Sequence, residues 1–96
     1  MTEQSSDPRV QALREQITRA DRAILDQLNA RLRLVAEIRA YKAQRGYSFV
    51  DQNRERELLD ELSAANPGPL SDDGLREVYA AILALMKRET ADGAGG

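Results

Sequence analysis

The chain of 96 residues contains 14 basic and 16 acidic side chains but neither cysteine nor histidine. The absence of cysteine excludes disulfides, a thiol nucleophile and a thiolate zinc site, and the absence of histidine removes the commonest general base and metal ligand. The length fits one domain, and a net charge of -2 without a basic block argues against a dedicated nucleic-acid-binding protein.

Residues 1–6 are polar, and we predict that they are disordered. They lack the apolar run of a secretion signal, and no stretch of the chain approaches the roughly 20 apolar residues of a membrane span. We therefore expect a cytoplasmic protein that binds neither membranes nor nucleic acid.

The first predicted helix runs from about Asp7 or Pro8 to about Arg45. Asp7 can cap the helix, Pro8 suits the first helical position, and Gly46 ends it. Apolar residues recur at spacings of three and four without an intervening Gly or Pro, which predicts one continuous helix. This apolar stripe comprises Leu13, Ile17, Ala20, Ile24, Leu28, Leu32, Val35 and Ile38.

A second helix is predicted from near Asp51 to the Asn66-Pro-Gly-Pro69 segment, which ends it. Ser71 caps a third helix, whose acidic first turn suits the positive end of the helix dipole.

We predict that the tail from Asp92 is too glycine-rich to be helical. The fold class is therefore all-α, with a helical domain over 7–91 and a flexible tail over 92–96. The predicted buried face of the third helix is Leu75, Val78, Tyr79, Ile82, Leu83, Leu85 and Met86.

The first helix is too long for a compact monomer. About 38 residues span about 57 Å, whereas a globule of this chain length has a diameter of roughly 32 Å. The two shorter helices cannot cover the whole apolar stripe, so another chain must cover the remainder. The simplest closed solution is a two-fold, intertwined homodimer, and an antiparallel coiled coil is the alternative.

Two cations interrupt the apolar stripe at Arg31 and Lys42. Their separation places them roughly 20° apart around the helix and about 16 Å apart along it, with Val35 and Ile38 between them. Two cations flanking an apolar floor suit a small molecule with anionic ends, because an Arg grips a carboxylate with two parallel hydrogen bonds. Alternatively, both side chains reach out of the stripe and pair with acidic residues of a neighbouring helix.

Arg14 and Asp21 lie on the same stripe as Lys42. Arg14 precedes Lys42 by 28 residues, or about 42 Å of helix. If Arg14 serves the same site, it must therefore come from the second subunit.

The second helix begins with three charged residues, Asp51, Arg54 and Glu55, that share one face. One interpretation is an N-cap followed by ordinary first-turn charges. The other is a polar cluster in which Arg54 orients carboxylates that accept a hydrogen bond from a ligand hydroxyl.

From about Val10 to Thr90, the sequence resembles the all-α intertwined-dimer chorismate mutases. Each matching motif is a weak signal alone, but together they fall at the spacings of the family. The motifs are Leu13-Arg14-Glu15-Gln16-Ile17 with Asp21, Asn29-Ala30-Arg31 with Val35 and Glu37-Ile38 leading to Lys42, and Asp51-Gln-Asn-Arg54-Glu55-Arg56.

The resemblance implies a homodimer that rearranges chorismate to prephenate on the route to phenylalanine and tyrosine. Arg14 matches the arginine that reaches a substrate carboxylate across the dimer, and Arg31 matches the arginine that grips a carboxylate within the chain. Lys42 matches the cation that contacts a carboxylate and the ether oxygen whose bond breaks. Asp51 and Glu55 match the acidic positions near the ring hydroxyl, with Arg54 between them.

The third helix departs from the family pattern. Where the family usually has a small residue, often Ser, and four residues later Gln or Glu, this sequence has Met86 and Thr90. Thr90 can donate a hydroxyl hydrogen bond to the ether oxygen. The neighbouring Glu89 can replace it if the alignment slips by one residue, but only when protonated. Met86 is either a site residue or part of the core.

The implied reaction is pericyclic, so it needs neither His nor Cys, and we expect no cofactor and no metal. Alternatives within the same fold are aminodeoxychorismate mutase and isochorismate-pyruvate lyase, although the acid at Glu55 favours chorismate, since an apolar residue tends to replace it in those relatives. A non-enzymatic alternative is a helical dimerisation or regulatory module. Association with another enzyme of the aromatic pathway is also open.

Overall fold

A computed structural model describes residues 6–95 of the chain. It contains helix α1 over Pro8–Arg45, helix α2 over Gln52–Ala65 and helix α3 over Asp72–Gly95. No residue in the described range lies in a β-strand, so the all-α prediction is confirmed. Residues 1–5 lie outside that range, and the predicted disorder of 1–6 stays a prediction. None of the helices within residues 6–95 has the length and hydropathy of a membrane-spanning segment.

The chain divides into two compact units at Arg33 and Leu34. The first unit holds the N-terminal part of α1. Its start is capped as predicted, because the Asp7 carboxylate accepts hydrogen bonds from the backbone N–H groups of Arg9, at 2.8 Å, and Val10, at 3.4 Å. These bonds satisfy two of the N–H groups that a helix start leaves without an intrahelical partner.

The apolar stripe of α1 is only partly covered in a single chain. Helix α1, all of it within the described range, has no buried residue. Ile17 is 60% exposed, Ile24 56% and Ile38 50%. Large side chains left this far in water along one helix face are typical of a surface that another protein covers.

The end of α1 is set by Gly46. Its φ of 69° is a left-handed conformation that glycine adopts without strain. The backbone N–H of Gly46 donates to the carbonyl of Ala43 at 3.3 Å, and that of Tyr47 donates to the carbonyl of Lys42 at 2.8 Å. This pair of bonds is the Schellman motif, which satisfies the last carbonyls of the helix and confirms the predicted stop.

The second unit, from Leu34 onward, contains the end of α1 together with α2 and α3, and α2 packs against α3. The backbone N–H of Gly74 donates to Ser71 Oγ at 3.0 Å, which confirms the predicted cap of α3. Arg76 pairs with Asp72 on its own helix at 2.9 Å and with Asp60 on α2 at 3.3 Å. Hydrogen bonds from Ser63 and Arg76 hold the pKa of Asp72 below its usual value. These polar contacts link the end of α2 to the start of α3.

The buried core of the second unit is small. Leu75 and Met86 are 5% and 3% exposed, whereas Val78 remains 47% exposed. The predicted burial of Val78 is therefore wrong for the single chain, because one neighbouring helix covers only part of so wide an apolar face. The rest of the predicted face is half-buried: Tyr79, Ile82, Leu83 and Leu85.

Helix α3 is longer than predicted. It continues to Gly95, so the prediction of a non-helical stretch from Asp92 is wrong for residues 92–95. A glycine inside a helix costs only about 1 kcal/mol relative to alanine, which weakens the helical backbone without forbidding it. The predicted flexibility of the tail stays a prediction.

Candidate active site

Lys42 lies in the last turn of α1, beside the segment that leads to α2. Its side chain is half-buried, and its Nζ donates to the backbone carbonyl of Phe49 at 3.4 Å. It borders a cavity of about 540 Å³ together with Asp51. The structure therefore brings two sequence-predicted site residues to one cavity, although they come from different segments of the chain. The other residues around this cavity are Ser48, Val50, Gln52 and Asn53.

Asp51 and Arg54 have a clear local role. The Asp51 carboxylate accepts a hydrogen bond from the backbone N–H of Arg54 at 3.0 Å, so Asp51 is the N-cap of α2, as one interpretation of the sequence proposed. Both side chains are exposed. A carboxylate has room for several hydrogen bonds, so capping leaves Asp51 able to accept another from a ligand. Its predicted contact with a hydroxyl stays a prediction.

Glu55 pairs with a residue that the sequence did not single out. Its Oε2 lies 2.8 Å from the Nζ of Lys87 on α3, and the Glu55 side chain is 27% exposed. The two residues border a cavity of about 580 Å³ with a mostly apolar wall. The only sequence signal for Lys87 is the scarcity of lysine, since Lys42 is the other one in the chain. The remaining residues around this cavity are Leu59, Ala80, Leu83, Ala84 and Arg88.

The buried face of α3 carries Met86 and Thr90. Met86 is 3% exposed, which favours the core over the site among its two predicted roles. Thr90 is 6% exposed, and its hydroxyl donates to the Met86 carbonyl at 2.8 Å. Glu89, in contrast, is exposed. Of the two candidates for the ether-oxygen contact, only Thr90 therefore lies on the buried face.

Arg39 is the second residue that the sequence did not single out. Its guanidinium lies 3.9 Å from the centre of the Phe49 ring, and its Nη1 donates to Thr90 Oγ1 at 3.3 Å. Arg39 precedes Lys42 by one turn, so its position on the same side of α1 is the signal that could have identified it.

The remaining predicted residues lie along α1. In the first unit, Arg14 and Asp21 are exposed and Arg31 is half-buried. In the second unit, Val35 is half-buried and Ile38 is 50% exposed. Within one chain, the charged side chains of Arg14 and Asp21 are therefore accessible to water.

Comparison with known proteins identifies the family. The family model for chorismate mutase type II matches residues 13–90. The chain belongs to this family. Two structures of the chorismate mutase from Thermus thermophilus, form I and form II, are each 40% identical to the chain, with TM-scores of 0.80 and 0.79. Each match covers 81% of this chain, and 98% of the form I chain or 89% of the form II chain. No curated protein matches the sequence.

Membership of the chorismate mutase type II family confirms the resemblance drawn from the sequence motifs. The match runs from within α1 to within α3. It therefore covers both the motifs of α1 that agree with the family pattern and the positions of Met86 and Thr90 that differ from it. The departure in α3 is therefore a local difference within a family member.

Proposed function

We propose that the protein is a chorismate mutase, which rearranges chorismate to prephenate in the synthesis of phenylalanine and tyrosine. The family match over residues 13–90 supports this function. The observation that carries it is the position of Lys42, a half-buried cation beside a cavity of about 540 Å³. In the family pattern, this lysine contacts the ether oxygen of the substrate.

The proposed reaction breaks one C–O bond and forms one C–C bond within a single molecule. No proton transfer, covalent intermediate or second substrate is needed. The enzyme must hold a flexible dicarboxylate in its compact conformation and stabilise the negative charge that develops on the ether oxygen. Fixed cations perform both tasks, because Coulomb attraction is stronger beside protein of low dielectric constant than in bulk water.

Each substrate group has a proposed contact. Arg31 grips one carboxylate, and Arg14 of the second subunit grips the other. Lys42 contacts a carboxylate and the ether oxygen. Asp51 and Glu55 accept the ring hydroxyl, with Arg54 beside them, and the apolar ring lies on Val35 and Ile38. From α3, Met86 and either Thr90 or Glu89 complete the proposed wall.

The ion pair between Glu55 and Lys87 makes this arrangement compatible with a negatively charged substrate. An isolated carboxylate near the site would repel a dicarboxylate. At 2.8 Å, Lys87 offsets that charge and still leaves Glu55 lone pairs free to accept a hydroxyl hydrogen bond.

We also propose that the protein is a homodimer. Leu34 is 62% exposed and Ile17 60% exposed in the single chain, which leaves apolar side chains in water in both halves of α1. A second copy of α1 would cover this surface and bring the second subunit's Arg14 to the site. Association with another aromatic-pathway enzyme and a cytoplasmic location stay predictions from the sequence.

The test is turnover of chorismate by the purified protein. We expect chorismate to be consumed and prephenate to form, and Lys42→Ala to lower kcat by at least about 10²-fold, because a donor to developing charge is lost. Circular dichroism and light scattering should show unchanged helicity and dimer mass. The matched control is Arg45→Met, which removes a neighbouring cation from the same last turn of α1 and should keep full activity.

Two outcomes would contradict the proposal. Chorismate turnover no faster than the uncatalysed rate at every pH from about 5 to about 8 would exclude the function. Normal turnover by Lys42→Ala would exclude the role of Lys42. Parallel assays with isochorismate and aminodeoxychorismate separate chorismate mutase from the alternative activities of the fold.

A further inference from the structure

Arg39 has no role in the function proposed above. It contacts Phe49 from the segment before α2 and Thr90 from α3, and all three residues lie in the second unit. The Arg39 side chain is half-buried, and Thr90 is 6% exposed. Because Phe49 and Thr90 contact the guanidinium of Arg39 from two other segments, its orientation is fixed.

In the single chain, the Thr90 hydroxyl already donates its proton to the backbone. A threonine hydroxyl carries a single proton, and Thr90 donates it to the carbonyl of Met86 at 2.8 Å. Towards Arg39, the same oxygen acts as an acceptor, at 3.3 Å. Glu89 is exposed rather than on the buried face. In the single chain, neither Thr90 nor Glu89, the two candidates from the family pattern, therefore presents a donor at this end of α3.

Arg39, in contrast, has N–H donors that make no contact within the described residues. A guanidinium carries five N–H groups in a planar fork. Within residues 6–95, the Thr90 contact uses one of them, and the Phe49 ring covers one face of the plane. The ring and the hydroxyl orient the fork, while its other N–H groups remain available to a ligand.

The cationic groups of Arg39 and Lys42 also converge on one residue. Arg39 lies over the ring of Phe49, and Lys42 donates to the carbonyl of the same Phe49. Arg39 and Lys42 are three residues apart and so lie on the same side of α1, where an anionic group between them would lower the repulsion of their like charges. The pair is therefore arranged to stabilise negative charge.

We propose that Arg39 is a further catalytic residue, whose guanidinium donates a hydrogen bond to the substrate ether oxygen beside Lys42 and so replaces the missing Gln or Glu. This inference rests on the proposed chorismate mutase function. A cationic donor binds developing negative charge more strongly than a neutral amide does.

The experiment compares Arg39→Met with the wild-type enzyme. Methionine keeps an apolar contact for Phe49 but has no donor and no charge. We expect kcat to fall by about 10²–10³-fold, with little change in KM, because the contact strengthens as charge develops in the transition state. The control is Arg45→Met, which removes an arginine that is also stacked on tyrosine rings, those of Tyr41 and Tyr47.

Two further variants distinguish catalysis from structural support. Arg39→Lys keeps a charge on Phe49 and should recover part of the lost kcat. Thr90→Gln combined with Arg39→Met places an amide donor at the family position, and we expect it to raise kcat at least about tenfold above Arg39→Met alone. A purely structural arginine would not be rescued by a donor from another helix.

Several results would overturn the inference. An Arg39→Met enzyme with unchanged kcat excludes it, and so does a raised KM at constant kcat, which would instead indicate uniform binding of a carboxylate. A loss of kcat that follows the melting temperature across all variants, without rescue by Thr90→Gln, assigns Arg39 a structural role. An inactive wild-type protein refutes the proposed function and this inference together, whereas an active wild-type with an equally active Arg39→Met refutes only the inference.

Discussion

The proposed exchange of Arg14 between subunits can be tested by mixing two inactive variants. Arg14→Ala removes the arginine given to the other subunit, and Lys42→Ala removes the contact with the ether oxygen. Each variant alone should form homodimers with two defective sites. In a mixed dimer, however, the Arg14→Ala chain retains Lys42 and receives an intact Arg14 from its partner, so one of the two sites is complete.

The recovered activity follows from counting sites. Random association of equal amounts makes about half of the dimers mixed, and half of the sites in each mixed dimer are intact, so about one quarter of the wild-type activity should return. The reason is distance along the chain. Arg14 and Lys42 are 28 residues apart in sequence, or about 42 Å in a helix, which no side chain can span.

The assay is prephenate formation after the two variants have been unfolded together in denaturant and refolded. A mixture of Arg31→Ala with Lys42→Ala is the matched control, because both residues are proposed to serve the site of their own chain. That mixture should recover nothing. If the Arg14 mixture also recovers nothing although mixed dimers form, Arg14 does not act across the interface, and the proposed geometry of the site is wrong.

The dimer interface and one surface carboxylate give two further predictions. Ile24 is 56% exposed in the single chain, so Ile24→Ala in both subunits should lose about 2 kcal/mol of apolar burial and raise the dimer dissociation constant about 30-fold by analytical ultracentrifugation. The control Leu70→Ala changes a residue that is 50% exposed outside α1 and should leave that constant unchanged. Ser63→Ala should raise the pKa of Asp72, because it removes the larger of the causes that lower it and leaves Arg76. A lowered carboxyl pKa adds stability above the pKa of the unfolded chain, and that stability is lost as pH falls through the folded pKa. The variant should therefore lose less stability on acidification; an unchanged Asp72 pKa in an NMR titration would contradict this.

The helix starts and the end of α1 were predictable from sequence because the signals are local. Asp7 and Asp51 cap their helices with carboxylates that accept N–H groups two or three residues away. Ser71 does the same with its hydroxyl, and Gly46 ends α1 with a left-handed turn. Each device depends only on neighbouring residues. The end of α3 was missed because glycine opposes a helix by only about 1 kcal/mol per residue, which the preceding helical turns can offset.

The site was predictable only in part. Motif spacing predicted Lys42 and Glu55 as candidate site residues, but it gave no indication that Lys87 pairs with Glu55 or that Arg39 contacts Thr90. Both contacts join residues that are more than 30 positions apart in the sequence. Periodicity describes which face of one helix a residue occupies, whereas a partner on another helix is determined by packing.

The two roles of Phe49 differ in what they require of the amino acid. Any residue at this position supplies the backbone carbonyl that accepts from Lys42, but only an aromatic one supplies the ring beneath Arg39. Substitution of Phe49 therefore alters the environment of Arg39 and preserves the acceptor of Lys42. In evolutionary terms, single mutations at position 49 can change how firmly Arg39 is held without removing the acceptor for Lys42.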